Sequence, residues 1–145
     1  LHEKFKVVNS VGLSNYMVKN VTSKEILRKT DIDNLWFIPA GPILPNSSEL
    51  IEAGVMDELI EELKQQFDYV IIDSTPAGLV ADATLMIKYA SFILLVCRNE
   101  YTRKDVFTDV LNLFRTNNIN DFDIVFNDLN LKKSRYGRYD NYYKQ

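Results

Sequence analysis

The amino-acid sequence predicts an α/β fold, a mostly parallel sheet with helices on both faces. Three observations lead there. Strand-like and helix-like stretches alternate through the middle of the chain with short links. The strand-like stretches DYVIID and SFILLVCR are continuous apolar runs, the pattern of strands covered on both faces. The helix-like stretches begin at paired polar residues three apart, which serve as N-terminal caps.

Taken in order, GLSNYMVKN and TSKEILRKT read as helical, the second with Thr22 and Glu25 as a capping pair. NLWFIPAG reads as a buried strand ending in a turn. PNSSELIEAG then opens a short helix, with Asn46 as N-cap, Glu49 three residues later and Gly54 as its stop. MDELIEELKQQF places Met56, Leu59, Ile60 and Leu63 at helical spacing, which makes its acids a solvated face. DYVIID is the next strand, ADATLMIKYA a helix and SFILLVCR another fully buried strand. Thr102 and Asp105 pair as caps of a long helix through about Arg115. FDIVFND is the last strand. Residues 1–131 form one domain, and residues 132–145 form a flexible tail rich in tyrosine.

Composition narrows the chemistry. The apolar share of 46% and the charged share of 26% are those of a soluble globular domain. One cysteine rules out an internal disulfide, which suits a reducing, cytoplasmic setting. Cys97 lies in an apolar strand and reads as a buried structural thiol. With His2 as the sole histidine, a zinc site or a Cys–His nucleophile pair is disfavoured. The longest apolar run, Phe92 to Cys97, falls far short of the ~20 residues that span a bilayer. No signal peptide is visible, and a start at Leu1 reads as a piece of a longer chain. The net charge of −3 divides unevenly: residues 132–145 carry five Lys/Arg and one Asp, or +4, which leaves −7 on residues 1–131.

In parallel α/β folds, ligands gather beyond the carboxyl ends of the strands. Four segments qualify: Gly41 to Asn46, Asp73 to Gly78, Arg98 to Thr102, and Asn127 to Asn130. Asp73 ends a run of four apolar residues, the form of a Walker B acid that helps to hold Mg²⁺ on nucleotide phosphates. An Asp that caps the following loop satisfies the same pattern. A phosphate-cradling loop needs two glycines with Lys after the second, and none of the five glycines is followed by Lys. GLSNY has part of the form of a nucleophile elbow, but Tyr16 stands where the second glycine belongs, and Ser14 reads as a helix N-terminal residue.

Five blocks join these pieces: LHEKFKVVNSVGLSNYMVKN, NLWFIPAGPILPNSSELI, FDYVIIDSTPAGLVADATLM, FILLVCRNEYTRKD and IVFNDLNLKKSRYGRYDNYYKQ. Together, and in this order, they resemble the bacterial tyrosine autokinases (BY-kinases) of capsule and exopolysaccharide biosynthesis. The resemblance implies a P-loop NTPase fold of the MinD/ParA type whose P-loop portion lies upstream of Leu1. It implies transfer of the ATP γ-phosphate to tyrosine in trans within a homo-oligomeric ring. By the same resemblance Asp73 is the Walker B acid, catalytic and a Mg²⁺ ligand, and Asn127 contacts the adenine of ATP. Tyr136, Tyr139, Tyr142 and Tyr143 are the phosphoacceptors. Arg98 follows its strand as in the family, without an assigned role. The implied setting is the cytoplasmic face of the inner membrane, beside a chain-length-determining membrane protein or domain, where the kinase regulates polymer assembly and export.

The sequence departs from the family pattern in places. Walker A and the acidic A′ motif are absent, so these residues alone are expected to be inactive. Thr75 replaces the first of two prolines after Walker B, and Leu44-Pro45-Asn46-Ser47 keeps one proline of a richer run. Two other readings stand beside the kinase: a non-catalytic interaction module whose tail another kinase modifies, and a nucleic-acid-binding tail. The acidic body offers no basic track to continue the second of these, so no nucleic-acid partner is expected.

Overall fold

Residues 1–45, 47–76 and 85–129 are described in the computed structural model of the chain, and they fall into two units. Of the described residues, the first takes in Leu1–Thr75 and residues 85–89, and the second takes in Pro76 and residues 90–129. The tail and Asn46, the expected N-cap, lie outside the described residues.

The first unit opens with helix α1, Leu13–Met17, and helix α2, Ser23–Ile26. The pairing expected at α2 is present: the Thr22 N–H and hydroxyl both donate to Glu25 Oε2, each at 2.8 Å. These bonds hold the Glu25 carboxyl below its usual range, with the backbone N–H of Thr22 as the leading cause. The helix is shorter than TSKEILRKT suggests. Leu27 turns extended, and Arg28–Lys29 forms β1, which pairs antiparallel with β2, Trp36–Phe37. The turn between them is fixed by Thr30, whose hydroxyl donates to the Leu35 carbonyl at 2.9 Å and accepts the Ile32 N–H at 3.1 Å. NLWFIPAG is therefore a two-residue hairpin strand with Trp36 half out of the core, not a buried parallel strand.

Helices α3, Ser47–Glu52, and α4, Val55–Gln66, follow. Between them Gly54 adopts a left-handed φ of 75°, which suits glycine because it lacks a Cβ. The spacing seen in the sequence is realised in α4, where Met56, Leu59, Ile60 and Leu63 are buried. With Met17, Ile26 and Ile51 they form the core, each side chain contributing about 2 kcal/mol on burial. The outer face of α4 is more than a solvated surface. Tyr89 donates to Asp57 Oδ1 at 2.6 Å, and Lys88 Nζ stands 3.7 Å from the same oxygen. Tyr16 lies near Glu58 and Glu62, and burial followed by those two charges pushes its phenol up.

DYVIID does not form a strand. Asp68 lies in a bend, and residues 69–73 have no regular secondary structure and no ladder partner among the described residues. Val70 and Ile72 pack on the α4 core, whereas Tyr69 and Ile71 are each 88% exposed. The apolar run predicts cover on both faces, and within the described chain one face receives it. Of ADATLMIKYA, residues 85–86 are helical and Ile87–Tyr89 is a 3₁₀ turn; the four residues before them are outside the description.

The second unit holds the parallel pairing that the sequence predicts. Strand β3, Ile93–Arg98, pairs in parallel with β4, Phe122–Asn127, from Ile93 opposite Phe122 to Arg98 opposite Asn127. Helix α5, Lys104–Thr116, joins them, as a parallel crossover requires. Phe114 of α5 is fully buried and meets Phe122 edge-on, with ring centroids 5.0 Å apart. Side-chain alternation then directs Ile93, Leu95 and Cys97 to the helix side. Leu94 and Val96 point the other way and are 61% and 59% exposed. SFILLVCR is thus half-buried, not buried on both faces.

Two glycines carry the contact between α1 and the loop after β2. The Leu13 N–H donates to the Pro39 carbonyl at 2.8 Å and the Ser14 N–H to the Ala40 carbonyl at 2.9 Å. A Cβ on Gly12 would stand 2.2 Å from the Pro39 oxygen, a backbone atom that cannot swing aside. Gly12→Ala is expected to destabilise the first unit by about 2 kcal/mol or more. Urea unfolding followed by Trp36 fluorescence measures it, Trp36 being the chain's one tryptophan; an unchanged midpoint refutes this account of the loop.

Candidate functional site

The expected site residues fall in both units. In the first, Asn9, Gly12, Ser14 and Gly41 form a tight polar knot. Gly41 N–H donates to Asn9 Oδ1 at 2.9 Å, the Asn9 amide returns a long bond to the Gly41 carbonyl at 3.4 Å, and Gly12 N–H donates to Asn15 Oδ1 at 3.0 Å. Gly41 has φ 79°, and a Cβ there would lie 2.3 Å from Ser14 Oγ. Ser14 is the second residue of α1 and is buried, its Oγ lacking a partner among the described residues. A buried hydroxyl behind two close backbones is no nucleophile elbow, which agrees with reading Ser14 as a helix N-terminal residue.

Asp73 also lies in the first unit, exposed at the end of the 68–73 segment. Among the described residues no group of three or more His, Cys, Asp or Glu side chains is arranged to hold a metal. Asp73 supplies a carboxylate open to solvent. That donor set suits Mg²⁺, which takes one or two protein carboxylates and completes its shell with phosphates and water.

The second unit builds its polar cluster at the carboxyl ends of β3 and β4. Register places Arg98 beside Asn127, and the ladder runs one step further, with the Asn99 N–H donating to the Asn127 carbonyl at 3.0 Å. Beyond that point the chain turns sharply on each side. Glu100 and Asp128 both have left-handed φ, 58° and 60°. The Asp128 N–H donates to Asn127 Oδ1 at 2.8 Å, which fixes the Asn127 side chain. Arg98 Nε donates to Asp128 Oδ2 at 2.8 Å, linking the two strand ends. The Arg98 guanidinium also sits 5.3 Å from the Tyr101 ring centroid, a cation–π distance. The Arg98 N–H donates to Thr102 Oγ1 at 2.8 Å.

Thr102 thus does not cap α5 as its spacing with Asp105 suggests. Its hydroxyl holds the exit turn of β3, and the helix begins two residues later with Arg103 at the N-cap position. Asp105 pairs with Arg103 instead, and that guanidinium is the leading cause of its lowered carboxyl pKa.

Of the residues expected from the sequence, Asp73 belongs to the first unit and Asn127 to the second. Tyr136, Tyr139, Tyr142 and Tyr143 lie outside the described residues. Sequence reasoning marked Arg98 without a role, read Thr102 as a helix cap, and took Tyr101 and Asp128 only as members of strand-end segments. The missing signal was register: the Arg98–Asp128 pair is thirty residues apart in sequence and becomes evident once Arg98 is aligned with Asn127.

Comparison with known proteins gives a consistent picture. Residues 3–128 match the AAA domain family. Tyrosine-protein kinase CpsD of Streptococcus agalactiae is 29% identical over 142 residues, which is 97% of this chain and 62% of that protein. CpsD of Streptococcus pneumoniae is 30% identical over 129 residues, covering 88% of this chain and 56% of that one. Among solved structures, the chimerical protein CapA2B2 superposes with a TM-score of 0.82 at 30% identity, over 88% of this chain and 57% of that chain. The kinase domain of Escherichia coli tyrosine kinase ETK gives 0.80 at 25% identity, over 87% and 49%. The chain therefore spans roughly three-fifths of the length of these curated relatives. Among the described residues no helix is long and apolar enough to cross a membrane.

Two outcomes follow from the strand-end geometry. Arg98 and Asp128 are both more than half exposed, so the pair is screened by water, and Asp128→Asn is expected to change stability by less than ~1 kcal/mol. A larger loss in urea unfolding contradicts that estimate. Cys97 is buried and its thiol is pushed up by burial. Because the folded state holds the thiol proton more tightly, its contribution to stability is complete below the unfolded thiol pKa of about 8.5 and is lost as pH rises through the folded one. Native Cys97 should accordingly react slowly with a disulfide reagent and rapidly in urea; equal rates overturn this.

Proposed function

We propose a function from one premise: the chain belongs to the AAA-domain family and, within it, to the bacterial tyrosine autokinases. The function is ATP-dependent transfer of the γ-phosphate to protein tyrosine, carried out by a longer polypeptide that includes these residues. The observation that carries this reading is the alignment of proteins named as tyrosine kinases along 88–97% of the chain. The shares of 56–62% of those relatives agree with a longer protein.

Within that reading the residues take distinct tasks. Asp73 is the Walker B acid and holds Mg²⁺, which when bound offsets the charge of the ATP phosphates. Asn127 faces the adenine. Its carbonyl oxygen is engaged by Asp128, and its amide N–H groups have no acceptor among the described residues, so they are available to a ring nitrogen. A phosphate-cradling loop does not occur in these 145 residues, so the reading requires Walker A and A′ from elsewhere in the polypeptide. The acceptors are Tyr136, Tyr139, Tyr142 and Tyr143, modified in trans by neighbouring subunits of a homo-oligomeric ring. The setting is the cytoplasmic face of the inner membrane, beside a chain-length-determining membrane protein, and the outcome is control of capsule or exopolysaccharide polymerisation and export.

The lack of a phosphate loop also favours a second reading, a non-catalytic module whose tail is phosphorylated by another kinase. Phosphotyrosine assay with ATP and Mg²⁺ on the whole gene product separates the two. The kinase reading expects tail labelling that Asp73→Asn lowers about a hundredfold or more. Labelling that survives Asp73→Asn, or none from the whole product, defeats it. The 145-residue chain alone should show no autophosphorylation.

Charge gives the tail a mechanism. Each phosphotyrosine adds about −1.5 to −2 charges, so four would reverse a +4 tail that docks on an acidic neighbour. Oligomers should therefore shrink on enzymatic phosphorylation but not in a variant with all four tyrosines changed to Phe. Equal sizes with and without phosphate defeat this mechanism.

A further inference from the structure

The loop at the end of β3 carries a tyrosine that neither the fold nor the proposed site uses. Tyr101 is 76% exposed, in the turn between β3 and α5. Its backbone is tied down, the Tyr101 N–H donating to the Arg98 carbonyl at 3.2 Å and the Thr102 N–H to the same oxygen at 2.9 Å. Its ring lies beside the Arg98 guanidinium. Arg103, two residues on, is largely exposed and paired only with its near neighbour Asp105. The phenol is thus presented to solvent on a fixed turn beside the Arg98 guanidinium, with Arg103 two residues on in sequence, and the carboxylate partners of both arginines are themselves exposed and weakly held.

We propose that Tyr101 is a further phosphoacceptor of this kinase system, and that Arg98 and Arg103 receive its phosphate. The inference rests on the tyrosine-kinase reading above. Two independent features single out Tyr101. The first is geometric: a phosphate on its hydroxyl adds about −1.5 to −2 charges on a ring already beside the Arg98 guanidinium, and arginine binds phosphate through paired N–H donors. The second is in the sequence. Tyr101-Thr102-Arg103 repeats the spacing of Tyr136-Gly137-Arg138 in the tail, and Tyr142-Tyr143-Lys144 is its lysine counterpart. Tyr139 and Tyr143 lack a base at that place, so the feature is shared with Tyr136 and Tyr142, and a substrate groove that accepts those two meets a basic residue two places after Tyr101 as well. Tyr69 provides the contrast: it is at least as exposed but is followed by Val70 and Ile71.

The chemistry balances with ATP as donor. The Tyr101 Oη attacks the γ-phosphorus, the bond from that phosphorus to the β,γ-bridging oxygen breaks, ADP leaves with the electron pair, and the phenolic proton passes to a base or to water. Once in place the dianion competes with Asp128 for Arg98. Phosphorylation therefore exchanges the Arg98–Asp128 link between the strand ends for one within the β3–α5 turn.

The test incubates the full 145-residue chain with ATP, Mg²⁺ and a bacterial tyrosine kinase whose own autophosphorylation proves it active. Peptide mass spectrometry then reads occupancy at each tyrosine. The expected result is phosphate on the tail and on Tyr101 but not on Tyr69, with Tyr101→Phe removing that signal alone. Replacing Arg103 by Ala should lower Tyr101 occupancy about tenfold and leave tail occupancy unchanged. Tail labelling without Tyr101 labelling overturns this inference and leaves the kinase reading intact. Comparable labelling of Tyr69 overturns it too, because exposure alone would then select the acceptor. No labelling anywhere on the chain by an active kinase overturns both this inference and the tail assignment.

Discussion

The register of β3 against β4 is the constraint on which the second unit depends. Six residue pairs run from Ile93–Phe122 to Arg98–Asn127, and a slip of one residue would turn every side chain of a strand to the opposite face. The aromatic contact of Phe114 with Phe122 holds this register from the helix side. With the strands so aligned, Arg98, Asn127 and Asp128 come together at one end. Two left-handed residues, Glu100 and Asp128, bend the chain away immediately afterwards and leave that end open. Polar residues gathered beyond the carboxyl ends of parallel strands are what a nucleotide-binding α/β domain needs.

The first unit rests on a different principle. Its core is the apolar stripe of α4 with Met17, Ile26 and Ile51 against it, while backbone contact positions α1. Gly12 and Gly41 let two main chains approach to hydrogen-bonding distance, and the Asn9 side chain bridges them. Asp73 follows a segment that packs one face on this core through Val70 and Ile72. The opposite face, with Tyr69 and Ile71, is as apolar as the first and lies open. Asp73 is held at the end of this segment without a ladder partner among the described residues.

Charge and exposure mark the polar residues: Asp73, after the 68–73 segment, and Asn127, at the end of β4, are both exposed. The arginines at the β3 turn are paired with carboxylates through contacts that water screens, so a stronger anion can replace those carboxylates. Tyrosines followed at two residues by a base occur both in the tail, at Tyr136 and Tyr142, and on this turn, at Tyr101.

Much of this was legible in the sequence. Helix α4, the Thr22–Glu25 cap, the strands FILLVC and FDIVFN and the buried state of Cys97 follow from side-chain period, capping chemistry and apolar runs, all of which are local. The five blocks also sufficed to suggest the kinase family that the relatives support. The run at 68–73 misled in one respect: it records how much apolar surface a strand carries, while a ladder requires a partner that the run cannot name. For the same reason SFILLVCR reads as buried on both faces although Leu94 and Val96 are open. Thr102 was misread because one hydroxyl can serve a helix cap or a strand-exit turn, and the choice depends on where the Arg98 N–H lies. Local pattern thus determined helix α4, the apolar runs of β3 and β4, and which residues carry charge. Tertiary structure alone decided that Arg98 would meet Asp128 across thirty residues, because register is a property of two strands and is written in neither.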